Sequence, residues 1–224
     1  MFFEDLHQLL LNKSELASLD VAVIGVSGQF GAGKTELCKG FAEYLCEEGD
    51  VHSISLQLDR YFQLNRAGRY AILEKLDSEG ADDMAKAEAY AINQNLVMTH
   101  LDMLKRREAI HAKNLYQRLT GEKDLDFDID IGDIDKPVWI IIDGVFLLHS
   151  PMRDKMDGII IIEADKPVRM ERGIGRAKQQ NPYTSRCLDE VEGIVNFYLQ
   201  RNNNPQNIRI DNTDYNNRKF ILKI

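Results

Sequence analysis

Eight consecutive residues, Gly28-Gln29-Phe30-Gly31-Ala32-Gly33-Lys34-Thr35, fit the pattern G-x-x-x-x-G-K-[ST] without a mismatch. Phosphate oxygens need several N–H donors on one side of a tight loop. Glycines let the backbone curl around an anion with no Cβ in the way. A helix opening at Lys34 aims its positive end at the phosphates. The Lys34 ammonium can reach the β- and γ-phosphates, and the Thr35 hydroxyl can ligate Mg²⁺. A glycine-rich turn can match such a pattern by chance. Here it follows a strand-like run and opens a helix-like one, the setting that phosphate binding requires.

Two carboxylates and three guanidinium groups could complete the chemistry. Asp59 ends the strand-like run from Val51 to Leu58. In parallel α/β sheets ligands sit at the carboxyl ends of strands, so Asp59 is placed to accept the proton of an attacking hydroxyl. The competing reading is an Asp capping a turn. Asp143 follows the apolar run Trp139-Ile140-Ile141-Ile142, where a carboxylate can hold Mg²⁺. Arg169, Arg172 and Arg176 fall at i, i+3 and i+7, on one helical face. Three cations there suit an anion lying between them, and phosphoryl transfer needs such charge; a solvated basic face is the plainer reading. Tyr61 and Phe62 could wall an acceptor pocket or belong to the core. His52, His100, His111 and His149 have no partners by spacing.

The elements that must hold these residues are legible as periods. Phe2 to Leu19 has helical spacing, broken near Asn12 to Ser14. Val21 to Val26 reads as a strand buried on both faces. Lys34 to Glu48 reads as a helix with Leu37, Phe41 and Leu45 on one face and Gly49 as its stop. Val51 to Leu58, Val138 to Ile142 and Gly158 to Ile162 are further strands, with Ile208 to Ile210 a short last one. Residues 63 to 112 read as mainly helical, with Leu96, Leu101 and Leu104 on one amphipathic helix. Glu122 to Asp135 reads as an acidic loop. Val168 to Gln180, started by Asp165 and Pro167, and Leu188 to Leu199 read as helices. Strands alternating with helices imply a doubly wound parallel sheet covered on both faces, and no linker or repeat interrupts it. One domain over residues 1–224 is expected, with a leading helix at 1–19.

The chain has 224 residues, 44% apolar and 29% charged, with a formal net charge of −8. That composition suits a globular domain and argues against general nucleic-acid binding, which needs clustered Lys and Arg. Cys38, Cys46 and Cys187 lack CxxC or Cys/His spacing and read as reduced thiols. The N-terminus carries acids where a signal peptide carries Lys or Arg, and no apolar run approaches a membrane span, so the cytoplasm is the expected location. Homo-oligomerisation is compatible with the sequence and not specified by it.

Taken in order and spacing, the motifs resemble the uridine kinase and phosphoribulokinase branch of the P-loop kinases. The resemblance runs from about Val21 onward. It rests on Val23-Ile24-Gly25-Val26-Ser27-Gly28, Leu58-Asp59-Arg60-Tyr61-Phe62, Ile142-Asp143-Gly144-Val145-Phe146, the Arg169-x-x-Arg172-x-x-x-Arg176 series and Ile210-Asp211-Asn212-Thr213-Asp214. It implies a three-layer P-loop NTPase fold with a helical lid near residues 166–187. It also implies ATP and Mg²⁺ as cofactors, a small-molecule acceptor, and Asp59 as general base. Lys34, Arg172 and Arg176 would meet developing charge, Arg169 and Gly28 to Thr35 would bind ATP, and Thr35 and Asp143 would bind the metal. Asn114 to Lys123 faintly resembles the family's acceptor side, which would give Tyr116 and Arg118 to the substrate along with Tyr61 and Phe62. The chain departs from the family at Asp143, where Glu is common. The acceptor-side His and the Asp-rich segment expected near residues 80–92 are missing. The reading is a kinase of a nucleoside or riboside. The alternatives are a kinase of a non-nucleoside metabolite and a nucleotide-binding protein without transfer.

Overall fold

The computed structural model describes residues 1–13, 15–81, 91–148, 151–180, 192–193, 195–196, 199–200, 204 and 206–221. The side chains of residues 13 and 174–180 lie outside that description, and so do His149, Cys187 and residues 181–187 of the expected lid.

The central strands are apolar because they are covered on both faces. β1 (Val21–Gly28) and β5 (Val138–Asp143) are buried along their whole length. β1 pairs in parallel with β5 on one side and with β6 (Gly158–Glu163) on the other. β2 (His52–Gln57) pairs with the far side of β5, and β7 (Ile208–Asp211) with the far side of β6. The short β8 (Lys219–Phe220) closes the edge antiparallel to β7. The order β2-β5-β1-β6-β7-β8 puts β1 at the switch point. The chain leaves β1 toward β2 on one side and later returns to β6 on the other. That reversal opens the crevice at the carboxyl ends of the strands where ligands sit.

Alternation of side chains along β1 and β5 sorts the core into two halves. Ala22, Ile24, Trp139 and Ile141 face α2 (Lys34–Glu47) with its Leu37, Phe41 and Leu45, and α1 (Phe2–Lys13) with its Leu6 and Leu10. Val23, Ile140 and Ile142 face the other way, onto α4 (Gln94–Lys105) through Val97, Leu101 and Leu104. α3 (Arg66–Ser78) precedes α4, and α5 (Lys166–Gln180) follows β6. The fold is thus the α/β three-layer arrangement expected. The leading helix breaks where expected, at residue 13, into a single 3₁₀ turn at Glu15–Ser18. Residues 192, 193, 195, 196, 199 and 200 are helical, where a helix over Leu188 to Leu199 was read.

Two readings are corrected. The expected helical stretch through residue 112 ends at Lys105, and Ile110–Leu115 is a strand, β3. It pairs antiparallel with β4 (Leu125–Ile129), inside the stretch read as an acidic loop. The reason is a period of two that the acid count hides. Leu125, Phe127 and Ile129 are half-buried, while Asp126 and Asp128 are exposed.

The two ends of the described chain meet. Phe2 stacks on Phe220 with ring centroids 5.1 Å apart, and the Arg218 guanidinium lies 5.6 Å from the Phe2 ring and 4.4 Å from the Tyr215 ring. No helix among the described residues is long and apolar enough to cross a membrane.

Candidate active site

β1 ends on Gly28 and α2 begins at Lys34, so the glycine loop spans the crevice at the switch point. Gly33 occupies the N-cap of α2 at φ 97° and ψ 22°, and no side chain caps it. The first-turn N–H groups of α2 therefore remain for an anion. A Cβ at Gly33 would strike the Asn212 amide. Gly31 sits at φ 76°, and a Cβ there would come within 2.5 Å of the Arg169 carbonyl. Gly31 occupies a variable place in the pattern, so its requirement comes from packing against α5.

The loop's carbonyls are tied outward. Lys34 Nζ donates to the carbonyls of Gly28 (3.0 Å) and Gln29 (2.9 Å). Arg169 Nη1 donates to Phe30, and Asn212 Nδ2 to Ala32 at 2.7 Å. The Gln29 amide donates to Asn196. With these oxygens already held by donors, the loop's N–H groups are left for a phosphate.

The structure joins the two residues expected at a metal. Thr35 Oγ1 donates to Asp143 Oδ2 at 2.9 Å, linking the start of α2 to the end of β5. Asp143 is buried, and its Oδ1 has no hydrogen-bond partner. Burial, aided by the nearby charge of Asp59, pushes its carboxyl up to about 6, against the Thr35 hydrogen bond and the charges of Lys34 and Arg118. An orphaned carboxylate oxygen beside a hydroxyl fits a hard cation such as Mg²⁺. That ion is bound by one or two carboxylates plus substrate phosphates and water. Among the described residues no cluster of three or more His, Cys, Asp or Glu could cage a metal.

Asp59 lies in the 3₁₀ turn Leu58–Tyr61 that follows β2, next to β5 in the sheet. It lines a cleft with Gln57, Arg60, Tyr116 and Arg118. Tyr61 and Phe62, which could wall this pocket or belong to the core, are core residues. Tyr61 is 1% exposed and its hydroxyl meets His100 Nδ1 at 3.0 Å, a partnership across 39 residues that spacing could not reveal. Phe62 packs edge-on to Tyr116 at 5.5 Å, and the buried Arg69 guanidinium lies 4.2 Å from both ring centroids.

Two of the three arginines of α5, Arg169 and Arg172, are engaged by groups of the protein itself. Arg169 is buried, donates to Ala164 O at 2.9 Å and pairs with Glu192 at 2.6 Å. It shapes the loop through the Phe30 carbonyl, and its charge is already neutralised. Arg172 Nη2 donates to the carbonyls of Asn212 and Thr213, while its Nη1 is buried without a partner. The Arg176 side chain lies outside the described residues.

Sequence reasoning gave no role to Asn212. It is fully buried, and besides Ala32 it meets Glu163 O through its own N–H and Arg218 Nε through its Oδ1. A lone Asn after a short strand carries no periodic signal, and the loop carbonyl it holds is 180 residues away.

Two expectations follow. In Asn212→Ala the Ala32 carbonyl loses its donor and Arg218 its acceptor, so stability should fall by about 2 kcal/mol and ATP affinity by roughly tenfold. Thermal melts and calorimetry check this, and unchanged affinity would remove Asn212 from the loop's support. The second concerns Asp143. Its folded carboxyl holds a proton more tightly than the unfolded one, so free-protein stability should fall as pH rises from about 4 to about 6 and stay low above it. At about 1.4 kcal/mol per pH unit the penalty is about 3 kcal/mol, and Asp143→Asn should recover much of it at pH 8. Melting curves in chelator at pH 5 and pH 8 decide. Equal gains at both would refute the assignment.

The sequence pattern of the phosphoribulokinase / uridine kinase family matches residues 23–209. A uridine kinase of Leuconostoc citreum is 28% identical over 180 residues, covering 79% of this chain and 75% of that protein. A uridine kinase of Listeria monocytogenes is 23% identical over the same shares. Among solved structures, a D-glycerate 3-kinase from Cryptococcus neoformans aligns over 99% of both chains with a TM-score of 0.63 and 13% identity, a likeness of fold. With the loop, the Thr35–Asp143 pair and the switch-point sheet already in place, the match over most of its length means that this chain belongs to the phosphoribulokinase / uridine kinase family.

Proposed function

We propose that this chain, an ATP-dependent small-molecule kinase by family, transfers the γ-phosphoryl group of ATP to a hydroxyl bound at the Asp59 cleft. The observation that carries the reading is the convergence at three adjacent strand ends. The glycine loop leaves β1, Asp143 ends β5 bonded to Thr35, and Asp59 follows β2 close enough for its charge to act on Asp143.

In the proposed reaction the acceptor oxygen attacks the γ-phosphorus in line. The new O–P bond forms as the bond to the β,γ-bridging oxygen breaks, and ADP leaves. Asp59 takes the hydroxyl proton as that bond forms. Lys34 and the loop N–H groups hold the phosphates. Arg172, with its unpartnered Nη1, and Arg176 one turn on, supply donors as charge gathers on the transferring group. Thr35 and Asp143 would hold Mg²⁺, which supplies neutralising charge for the phosphates when bound. The uridine kinases among the relatives favour a nucleoside acceptor by name, while the similarly folded D-glycerate 3-kinase takes a different alcohol by name.

Asp59→Asn is nearly isosteric and should leave ATP affinity near wild type. Turnover should drop by roughly two to four orders of magnitude, the usual range for a positioned base. Lys34→Ala should instead weaken ATP binding along with turnover. Calorimetry with ATP and a coupled ADP-release assay make the comparison. If Asp59→Asn loses ATP affinity but keeps turnover at saturating ATP, Asp59 serves the nucleotide or metal and the base lies elsewhere.

A further inference from the structure

The cleft that Asp59 lines is also lined by two arginines, Arg60 and Arg118. Arg60 lies 5.4 Å from the Phe127 ring centroid, and neither Arg60 nor Arg118 makes a side-chain hydrogen bond or ion pair with any described residue. That is unusual in a chain with 36 acids against 28 Lys and Arg. The acids of β4 and of the turn before it have other partners. Asp124 bonds Thr120, Asp126 accepts the Asn114 N–H, and Asp128 pairs with His111. The charge of Arg118 acts on Asp143 through space.

Both arginines are held by backbone. Tyr116 N–H donates to Arg60 O at 2.8 Å, and Arg66 Nη2 donates to Arg118 O at 2.5 Å. The segments that carry the two arginines are thus tied down beside the cleft, and guanidinium groups are well suited to holding carboxylates and phosphates. The same cleft offers little to a nucleobase. Tyr61, Phe62 and Tyr116 are 1%, 7% and 4% exposed, and Arg69 packs against two of these rings. Gln57 and Gln117 add amides, and among the described residues Leu125 is the only aliphatic side chain lining the cleft.

Resting on the kinase reading, we infer that the acceptor is an anionic hydroxy-metabolite whose carboxylate or phosphate sits between Arg60 and Arg118 while its hydroxyl faces Asp59. A neutral nucleoside would leave both cations unpaired. Removing one arm of a charge-assisted pair costs roughly 10- to 100-fold in affinity.

The test uses the full chain and matched acceptors: glycerate against glycerol, ribose 5-phosphate against ribose, and uridine. Each is measured by ADP release, and by calorimetry with a non-hydrolysable ATP analogue bound. An anionic member should exceed its neutral partner by about 100-fold in kcat/KM, and the two pairs separate carboxylate from phosphate. Arg118→Ala and Arg60→Ala should raise the KM of that acceptor by roughly 10- to 100-fold with the KM for ATP within about twofold of wild type. Arg118→Lys should restore part of the loss, since it returns charge without the fork. A merely structural arginine would lower stability or kcat for all acceptors alike. Binding of anions without ADP release would uphold the inference and refute phosphoryl transfer. Preference for uridine, untouched in Arg118→Ala, would overturn the inference and leave the kinase reading intact. Equal binding of charged and neutral members would overturn it as well.

Discussion

A loop that offers its N–H groups to phosphate must turn its carbonyls somewhere, and every feature around this site answers that demand. Buried carbonyls without donors are costly. Here the donors come from the loop's own Lys34, from Arg169 on α5 and from Asn212 after β7. Each donor then needs support. Arg169 is neutralised by Glu192, and Asn212 is oriented by Arg218 and by the Glu163 carbonyl. The shape of a six-residue turn is thus set by residues drawn from most of the chain.

What was legible in the sequence was whatever acts locally or periodically. The loop, the strand before it and the helix after it are contiguous, so pattern was sufficient. That Asp143 and Thr35 lie together was legible because each sits at a strand or helix end beside the same crevice, and a hydrogen bond joins them. Charge alone misled elsewhere. Arg169 and Arg172 share a helical face, but burial and Glu192 give Arg169 a structural part, which spacing does not encode. Tyr61 and Phe62 looked like pocket walls because they follow Asp59. In a 3₁₀ turn the chain reverses quickly, and these rings are carried into the core. The β3–β4 pair was hidden for the opposite reason, since its acids outweighed its alternation.

Asp143 shows how the site and the fold pull apart. A carboxylate in an apolar strand end, near a second acid and with one oxygen unsatisfied, destabilises the free protein. On the proposed reading, a cation held there would relieve a strain that the core holds in place. Cleft and loop are coupled in the same way, because Asp59, Asp143 and Lys34 act on one another through space.

The hydrogen bond between Asn212 and Ala32 spans 180 residues of sequence. During synthesis the glycine loop leaves the ribosome long before its partner exists. At 5–20 residues per second the interval is roughly 10–40 s. Throughout that time the loop lacks the donor that orients its Ala32 carbonyl, and Phe2 waits longer still for Phe220. Nucleotide capture is therefore a late event in the life of the nascent chain. A long-range closure of this kind also slows refolding from denaturant, because the two ends must meet before the loop is secured.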